Sequence, residues 1–169
     1  AVALLAVQVS AEAKYLGVSW FDQPDPANPN FIENADGSFS SNGAATASIA
    51  WVVGDPPGPA KVMDLEIQMV IPDIEGDWAG FYVHNEMAAN AFGGNLFFFN
   101  NTGANILSWG TVILAENVGA EYFNLGAMND IKVTFADGGV KVWVNGNLII
   151  DEAGVPAASG FTGLTALNN

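Results

Sequence analysis

The chain has 169 residues, half of them hydrophobic, and 18 acidic residues against 4 basic ones give a formal net charge of −14. This length suits one domain with its own hydrophobic core, and the absence of cysteine excludes disulfides, thiolate metal sites and cysteine nucleophiles. A chain without a basic patch cannot displace counterions from phosphates, so nucleic-acid binding is excluded, and adsorption to an anionic membrane surface is disfavoured for the same reason.

The first segment, residues 1–13, is apolar and too short to span a bilayer. It ends in Ala11-Glu12-Ala13, which resembles the cleavage site of a secretory signal with Lys14 as the first mature residue. Its alternation of apolar and polar residues instead predicts a strand, placed either in the chain's own sheet or in the sheet of a neighbouring copy. For the second alternative the assembly residues are Leu4, Leu5, Val7, Val9 and Ala11.

Short strands and loops alternate over the next forty residues or so. The pattern predicts strands at 14–21 and 44–53, and a turn within 31–41. The segments 22–30 and 54–59 are rich in proline, asparagine and aspartate, so they are predicted to be loops.

Two acidic segments carry the oxygen ligands that Ca²⁺ prefers, one in the loop 22–30 and one directly after Pro72. Neither matches the EF-hand pattern, and aspartate and asparagine also form turns without any metal. A bound calcium ion is therefore a hypothesis rather than a derived cofactor. Its candidate ligands are Asp22, Asp25, Asn28, Asn30, Asp73, Glu75 and Asp77.

The segment 61–71 shows the clearest two-residue period of the chain, which predicts a half-buried strand with an acidic outer face. The predicted inward side chains are Met63, Leu65, Ile67, Met69 and Ile71, and the predicted outward ones are Asp64, Glu66 and Gln68.

Further strands are predicted at 78–85, 95–100, 106–115, 121–125 and 161–167. The triplet Phe97-Phe98-Phe99 breaks the alternation, which predicts that both faces of its strand are covered.

Residues 130–151 predict three strands joined by two tight turns. Asp137-Gly138-Gly139 and Asn145-Gly146 supply the positive φ angles that hairpin turns require. The result is an antiparallel meander, and the sequence as a whole predicts an all-β, two-sheet antiparallel β-sandwich.

The segments IKVTFADGGVKVWVNGNLIIDE and GFTGLTALNN resemble the closing strands of the concanavalin A-like (laminin-G-like) jelly-roll superfamily. KVMDLEIQMVIPD followed by Trp78-Ala79-Gly80-Phe81-Tyr82 resembles an upstream strand pair of the same superfamily. The resemblance implies a jelly roll, and lectins, carbohydrate-binding modules, adhesins, glucanases and structural domains share that fold. Fold alone does not assign an activity.

Catalytic patterns are incomplete. Glycoside hydrolysis needs two carboxylates that flank one bond, and glucanases of the resembled superfamily place theirs on one strand as E-x-D-x-x-E. Here Asp64 and Glu66 share a face, but the third carboxylate is missing. His84 and Glu86 are predicted to share a face, yet they are too few ligands for zinc, so His84 is expected to be a structural histidine or one at the rim of a site.

Exposed aromatic side chains are candidate platforms for carbohydrate. Trp143 alternates with Val142 and Val144, so it is predicted on the polar face of its strand, where it is the best candidate. The set of candidates is Trp143, Trp78 and Trp109, and the sequon at Asn100 permits N-glycosylation.

The sequence therefore predicts an apolar segment at 1–13 and one β-sandwich domain at 14–169. The leading hypothesis is a secreted, non-catalytic structural or adhesive subunit of an extracellular polymer, with residues 1–13 docked onto a neighbouring copy. The alternative is a monomeric carbohydrate-binding module or lectin at the cell surface or in the medium. A hydrolase acting on glycosides is the third.

Overall fold

The computed structural model describes residues 4–8, 20–21, 31–34, 39–41, 47–51, 60–86, 93–108, 112–155 and 158–167. Over these ranges the chain is all-β, as predicted, with one 3₁₀ turn at Ala120–Tyr122. The strands are β1 Leu4–Gln8, β2 Trp20–Phe21, β3 Phe31–Glu33, β4 Phe39–Ser41, β5 Ala47–Trp51, β6 Ala60–Lys61, β7 Asp64–Val70, β8 Trp78–Asn85, β9 Asn95–Asn100, β10 Gly103–Ser108, β11 Val112–Val118, β12 Met128–Ala136, β13 Gly139–Val144, β14 Asn147–Ala153 and β15 Ser159–Leu167.

The strands form two antiparallel sheets. The front sheet has seven strands in the order β14-β13-β12-β7-β1-β4-β3. The back sheet has eight strands in the order β11-β10-β9-β8-β15-β5-β2, and the short β6 also pairs with β15. The predicted two-sheet jelly-roll sandwich is confirmed.

The hydrophobic core lies between the two sheets. Phe135 of the front sheet meets Phe97 of the back sheet edge-on at 6.0 Å, and Phe97 stacks on Phe81 at 5.1 Å. Phe98 on the opposite face of β9 is itself partly buried, so both faces of that strand are covered, as predicted. Further core residues are Leu65, Ile67, Met69, Val83, Phe99, Ile106, Ile131, Val133, Val140, Val142 and Leu164.

The predicted meander is confirmed as β12, β13 and β14. Asp137 and Gly138 have φ angles of 52° and 74°, and Asn145 and Gly146 have 50° and 80°. Two successive positive φ angles match the twist of the flanking strands, which is why Asp-Gly and Asn-Gly favour hairpins. A register shift between Val142 and Trp143 adds an irregularity that the alternation did not predict.

The strand β1 belongs to the chain's own front sheet. It lies between β7 and β4, with Val7 opposite Ile67 and Leu5 opposite both Met69 and Phe39. This agrees with the own-sheet alternative and gives the docking of this segment onto a neighbouring copy no support. Of the proposed assembly residues, Val9 and Ala11 lie outside the described residues.

Three strand predictions need correction. The chain bends at 62–63, so the predicted strand 61–71 is split and Met63 is 41% exposed instead of buried. The predicted strand 106–115 belongs to two strands, β10 and β11. The segment 121–125 contains the end of the 3₁₀ turn and an exposed loop instead of a strand. The glycines on either side of it, Gly119 and Gly126, take positive φ angles, which are incompatible with a continuous strand.

Candidate functional site

A groove of about 430 Å³ crosses the outer face of the front sheet. Side chains of β7, β12 and β13 reach it because every second residue of these strands points away from the core. Ile67 and Ile131 are buried in the core, so they contribute backbone to the floor of the groove. The lining consists of Glu66, Ile67, Gln68, Asp130, Ile131, Lys132, Trp143 and Gly146.

The antiparallel register places one acid, one base and one indole in a row across neighbouring strands. Lys132 on β12 lies opposite Glu66 on β7 and opposite Trp143 on β13. Trp143 in turn lies opposite Leu148 on β14, whose side chain is 46% exposed. Directly opposed residues have Cβ atoms about 5 Å apart, so this row forms one continuous strip of surface.

Two polar pairs join β7 to β12 at the floor of the groove. The Lys132 ammonium lies 3.2 Å from Glu66 Oε1, with the two side chains 49% and 51% exposed. Two residue pairs along the strands, Gln68 Nε2 donates a 2.8 Å hydrogen bond to Asp130 Oδ1. Both pairs lie at the surface, so their remaining donors and acceptors are accessible to a ligand. Exposed pairs of this kind add little to stability.

Asparagine side chains fix the end of the groove next to Gly146. Asp130 N donates a 3.1 Å hydrogen bond to Asn145 Oδ1, and Asn145 Nδ2 donates to the Tyr122 carbonyl at 2.8 Å and to Asn129 Oδ1 at 2.9 Å. Asn129 is 1% exposed and its Nδ2 donates to two loop carbonyls. This network ties the loop before β12 to the turn after β13, so Trp143 and Gly146 are held on a fixed frame.

The arrangement combines one partly exposed indole with carboxylate, amide and ammonium groups in a concave surface. Pockets for small ligands typically have volumes of several hundred Å³, with apolar surface and a few placed polar groups. An indole offers a rigid apolar face and one N–H donor. A ligand with both apolar C–H surface and many hydroxyl groups matches this lining.

Sequence reasoning placed Trp143 on the polar face and Glu66 on the acidic outer face, and the structure brings both to the groove. It missed Asp130, Lys132 and Gly146 as site residues, and it predicted Gln68 only as an outward side chain of its strand. Their outward alternation could be read from the sequence. The pairing of β7 with β12, which brings them together, could not.

Of the remaining tryptophan candidates, Trp78 is described and does not line this groove. Trp78 is part of the back sheet, partly buried, and its ring lies 5.4 Å from that of Phe98. Trp109 lies outside the described residues. Asp64 is exposed on β7 but does not line the groove.

His84 is fully buried and belongs to a hydrogen-bonded chain inside the fold. A carbonyl only accepts, so Nε2 carries the proton and donates to the Val62 carbonyl at 2.8 Å. Nδ1 then accepts from Asn95 Nδ2 at 3.2 Å, and Asn95 Oδ1 accepts from Ser108 Oγ at 2.9 Å. The ring also meets Phe135 edge-on at 4.6 Å, so the expected structural role is confirmed.

The predicted common face of His84 and Glu86 is wrong, since His84 is buried and Glu86 is exposed. His84 has a φ of 57°, and the pairing of β15 with β8 shifts register beside it. A Cβ atom on Gly160 would overlap the backbone of His84, so only glycine permits the close approach of β15 at this point.

Acid is expected to destabilise the protein through His84. Burial, aided by the charge of Lys61, lowers the pKa of His84 below its ordinary value of 6.5, and the hydrogen bond to Val62 opposes this only in part. The unfolded chain then binds more protons than the folded one, so the free energy of unfolding falls as the pH drops below 6.5.

Urea unfolding at pH 7.5, 6.5 and 5.5 tests this, with His84→Gln as the comparison. The variant is expected to lose less stability than the parent between the two lower pH values. Equal losses in the two proteins would contradict the role assigned to His84.

The structure describes only three of the seven calcium candidates. Asp22, Asp25, Asn28 and Asn30 lie outside the described residues. Asp73 and Glu75 are exposed while Asp77 is buried beside the turn that Gly76 closes. Within the described ranges, no group of three or more His, Cys, Asp or Glu side chains is placed to hold a metal ion.

The sequon at Asn100 lies in the turn between β9 and β10. Asn100 Oδ1 accepts from the backbone N–H groups of Thr102 at 3.0 Å and Gly103 at 3.1 Å, which closes a local turn. In the part of the chain that the structure describes, no helix is long and apolar enough to cross a membrane.

No family model and no curated protein matches this chain. Among solved structures, the carbohydrate-binding module CBM66 from Bacillus subtilis is similar with a TM-score of 0.62 and 13% identity, over 90% of this chain and 88% of that one. The alginate lyase AlgAT5 of polysaccharide lyase family 7 has a TM-score of 0.49 at 13% identity, over 82% and 70% of the two chains. The β-glucanase of Bacillus licheniformis has 0.42 at 10% identity, over 98% and 79%. The first similarity confirms the two-sheet jelly-roll fold that the sequence predicts.

Proposed function

We propose that this protein is a non-catalytic carbohydrate-binding domain whose binding site is the groove on the outer face of the front sheet. The observation that carries the proposal is the position of the Trp143 indole beside two polar pairs, Glu66 with Lys132 and Gln68 with Asp130. The similarity of fold to a solved carbohydrate-binding module supports the proposal without assigning a ligand.

Sugar rings have the matching chemistry. Their C–H faces lose contact with water when they lie against an indole, which is favourable in proportion to the apolar area buried. Their hydroxyl groups both donate and accept hydrogen bonds. The carboxylates of Glu66 and Asp130 accept, Lys132 donates, and the amide of Gln68 does both. Hydrogen bonds to the charged groups among these are the stronger ones.

A binding role fits the acidic residues better than a hydrolytic role. Glu66 is paired with Lys132, and Asp64 does not line the groove. In the E-x-D-x-x-E pattern the third carboxylate comes three residues after the second. Three residues after Glu66 the chain has Met69, so the third carboxylate is missing. The absence of catalysis is part of the proposal.

The expected location outside the cell is also part of the proposal. The signal interpretation of residues 1–13 does not support it, because β1 within that stretch is a strand of the front sheet. The polymer-subunit hypothesis from the sequence stays a prediction, and the pairing of β1 with β7 and β4 of its own sheet gives it no support.

Binding to a glycan array, followed by isothermal titration with the best glycan, tests the proposed function. We expect saturable binding to glycans and no release of new reducing ends from them. Release of reducing ends that Glu66→Gln abolishes would replace the binding domain with a hydrolase. Absence of binding to every glycan would overturn the proposal.

A further inference from the structure

The charges that line the groove set a condition on its ligand. Two carboxylates, on Glu66 and Asp130, face one ammonium group, on Lys132, so the lining carries one net negative charge. The whole chain, with these groups included, carries a formal net charge of −14. An anionic ligand therefore meets repulsion at long range and two carboxylates at contact.

The hydrogen-bonding groups of the lining also match a neutral ligand better than an anionic one. After the two internal pairs are formed, the free acceptors are the second oxygens of Glu66 and Asp130 and the oxygen of Gln68. The free donors are the remaining N–H groups of Lys132 and Gln68 and the indole N–H of Trp143. Carboxylates and sulfates only accept, so they leave the acceptors of the groove without partners. Hydroxyl groups use both kinds.

The net negative charge attracts a cationic ligand at long range, but at the centre of the groove its cationic group would meet Lys132. Lys132 lies between Glu66 and Trp143 in the row across the strands, so an ammonium group stacked beside the indole would approach a like charge. Glu66 is already neutralised in part by Lys132 at 3.2 Å.

We infer that the groove selects neutral, hydroxyl-rich glycans and rejects polyuronates, sulfated glycans and polyamines. This inference rests on the proposed function and narrows its ligand class.

Isothermal titration with three sets of oligosaccharides tests it: neutral hexose oligomers of several linkages, polygalacturonate oligomers and chitosan oligomers. We expect at least one neutral oligomer to bind at least tenfold more tightly than either charged set. Its Kd should change less than about twofold between low and high salt, because a neutral ligand makes no charge–charge interaction that salt could screen. A polygalacturonate or chitosan oligomer that binds as tightly overturns the inference and leaves the proposed function standing. Failure of every set to bind overturns both.

A charge-reversed groove tests the cause of the selectivity. Glu66→Gln combined with Asp130→Asn leaves Lys132 as the only charged group among the described lining residues, so polygalacturonate binding should strengthen at least tenfold and weaken again with salt. The matched control is Asp137→Asn with Asp151→Asn, which removes the same charge from exposed positions outside the groove. No gain in the groove variant, or an equal gain in both, would overturn the assignment of selectivity to the groove.

Discussion

Replacing Trp143 with alanine is expected to weaken glycan binding by about thirtyfold or more. Among the described lining residues, the indole is the one large apolar side chain that reaches the groove, since Ile67 and Ile131 are buried in the core. Aromatic residues central to a binding surface typically contribute at least about 2 kcal/mol, which corresponds to about thirtyfold in Kd. Isothermal titration of the parent and Trp143→Ala with the same glycan measures the change.

Lys141→Ala is the matched control for this experiment. Lys141 is two residues before Trp143 on the same strand, points to the same side and pairs with Asp151 outside the groove. It should bind the glycan as the parent does, and both variants should keep their unfolding transitions within about 1 kcal/mol of it. If Trp143→Ala bound the glycan as tightly as the parent, the indole would not contact the glycan, and the assignment of the binding site to the groove would be wrong.

The largest expected loss of stability follows from Phe81→Ala. Phe81 is fully buried, stacks on Phe97 at 5.1 Å and lies 6.2 Å from Phe99. Removing a buried phenyl ring loses its burial and leaves a cavity between the sheets, at a typical cost of about 3 to 5 kcal/mol. Urea unfolding of parent and variant measures it as a lower midpoint.

Ile113→Ala provides the comparison, because Ile113 is also apolar and lies in the back sheet but is 60% exposed. A change within about 0.5 kcal/mol is expected there. If Phe81→Ala cost less than about 1 kcal/mol, the aromatic core between the two sheets would be wrongly assigned.

The strands that could be predicted are those whose period and turns are both clear. Asn145-Gly146 allows two positive φ angles at little cost, and the valines around Trp143 alternate without interruption. Local sequence therefore determines the meander β12–β14 and the outward position of Trp143.

Non-local pairing explains what could not be predicted. The partner of Glu66 is 66 residues away on β12, and no local pattern indicates that β7 pairs with that strand. The burial of His84 likewise depends on a register shift where β8 pairs with β15. Simple alternation along β8 predicts the same face for His84 and Glu86, which is wrong. The groove arises from strand order, which a single sequence does not report.

The position of the bound glycan tests the central claim most directly. An NMR titration of the labelled protein with its best glycan records which backbone amides and indole N–H groups change on binding. The largest changes are predicted at Trp143, including its indole N–H, and at Glu66, Gln68, Asp130 and Lys132. Changes concentrated instead on the back sheet, around Tyr82 and Phe98, would contradict a binding site in the groove of the front sheet.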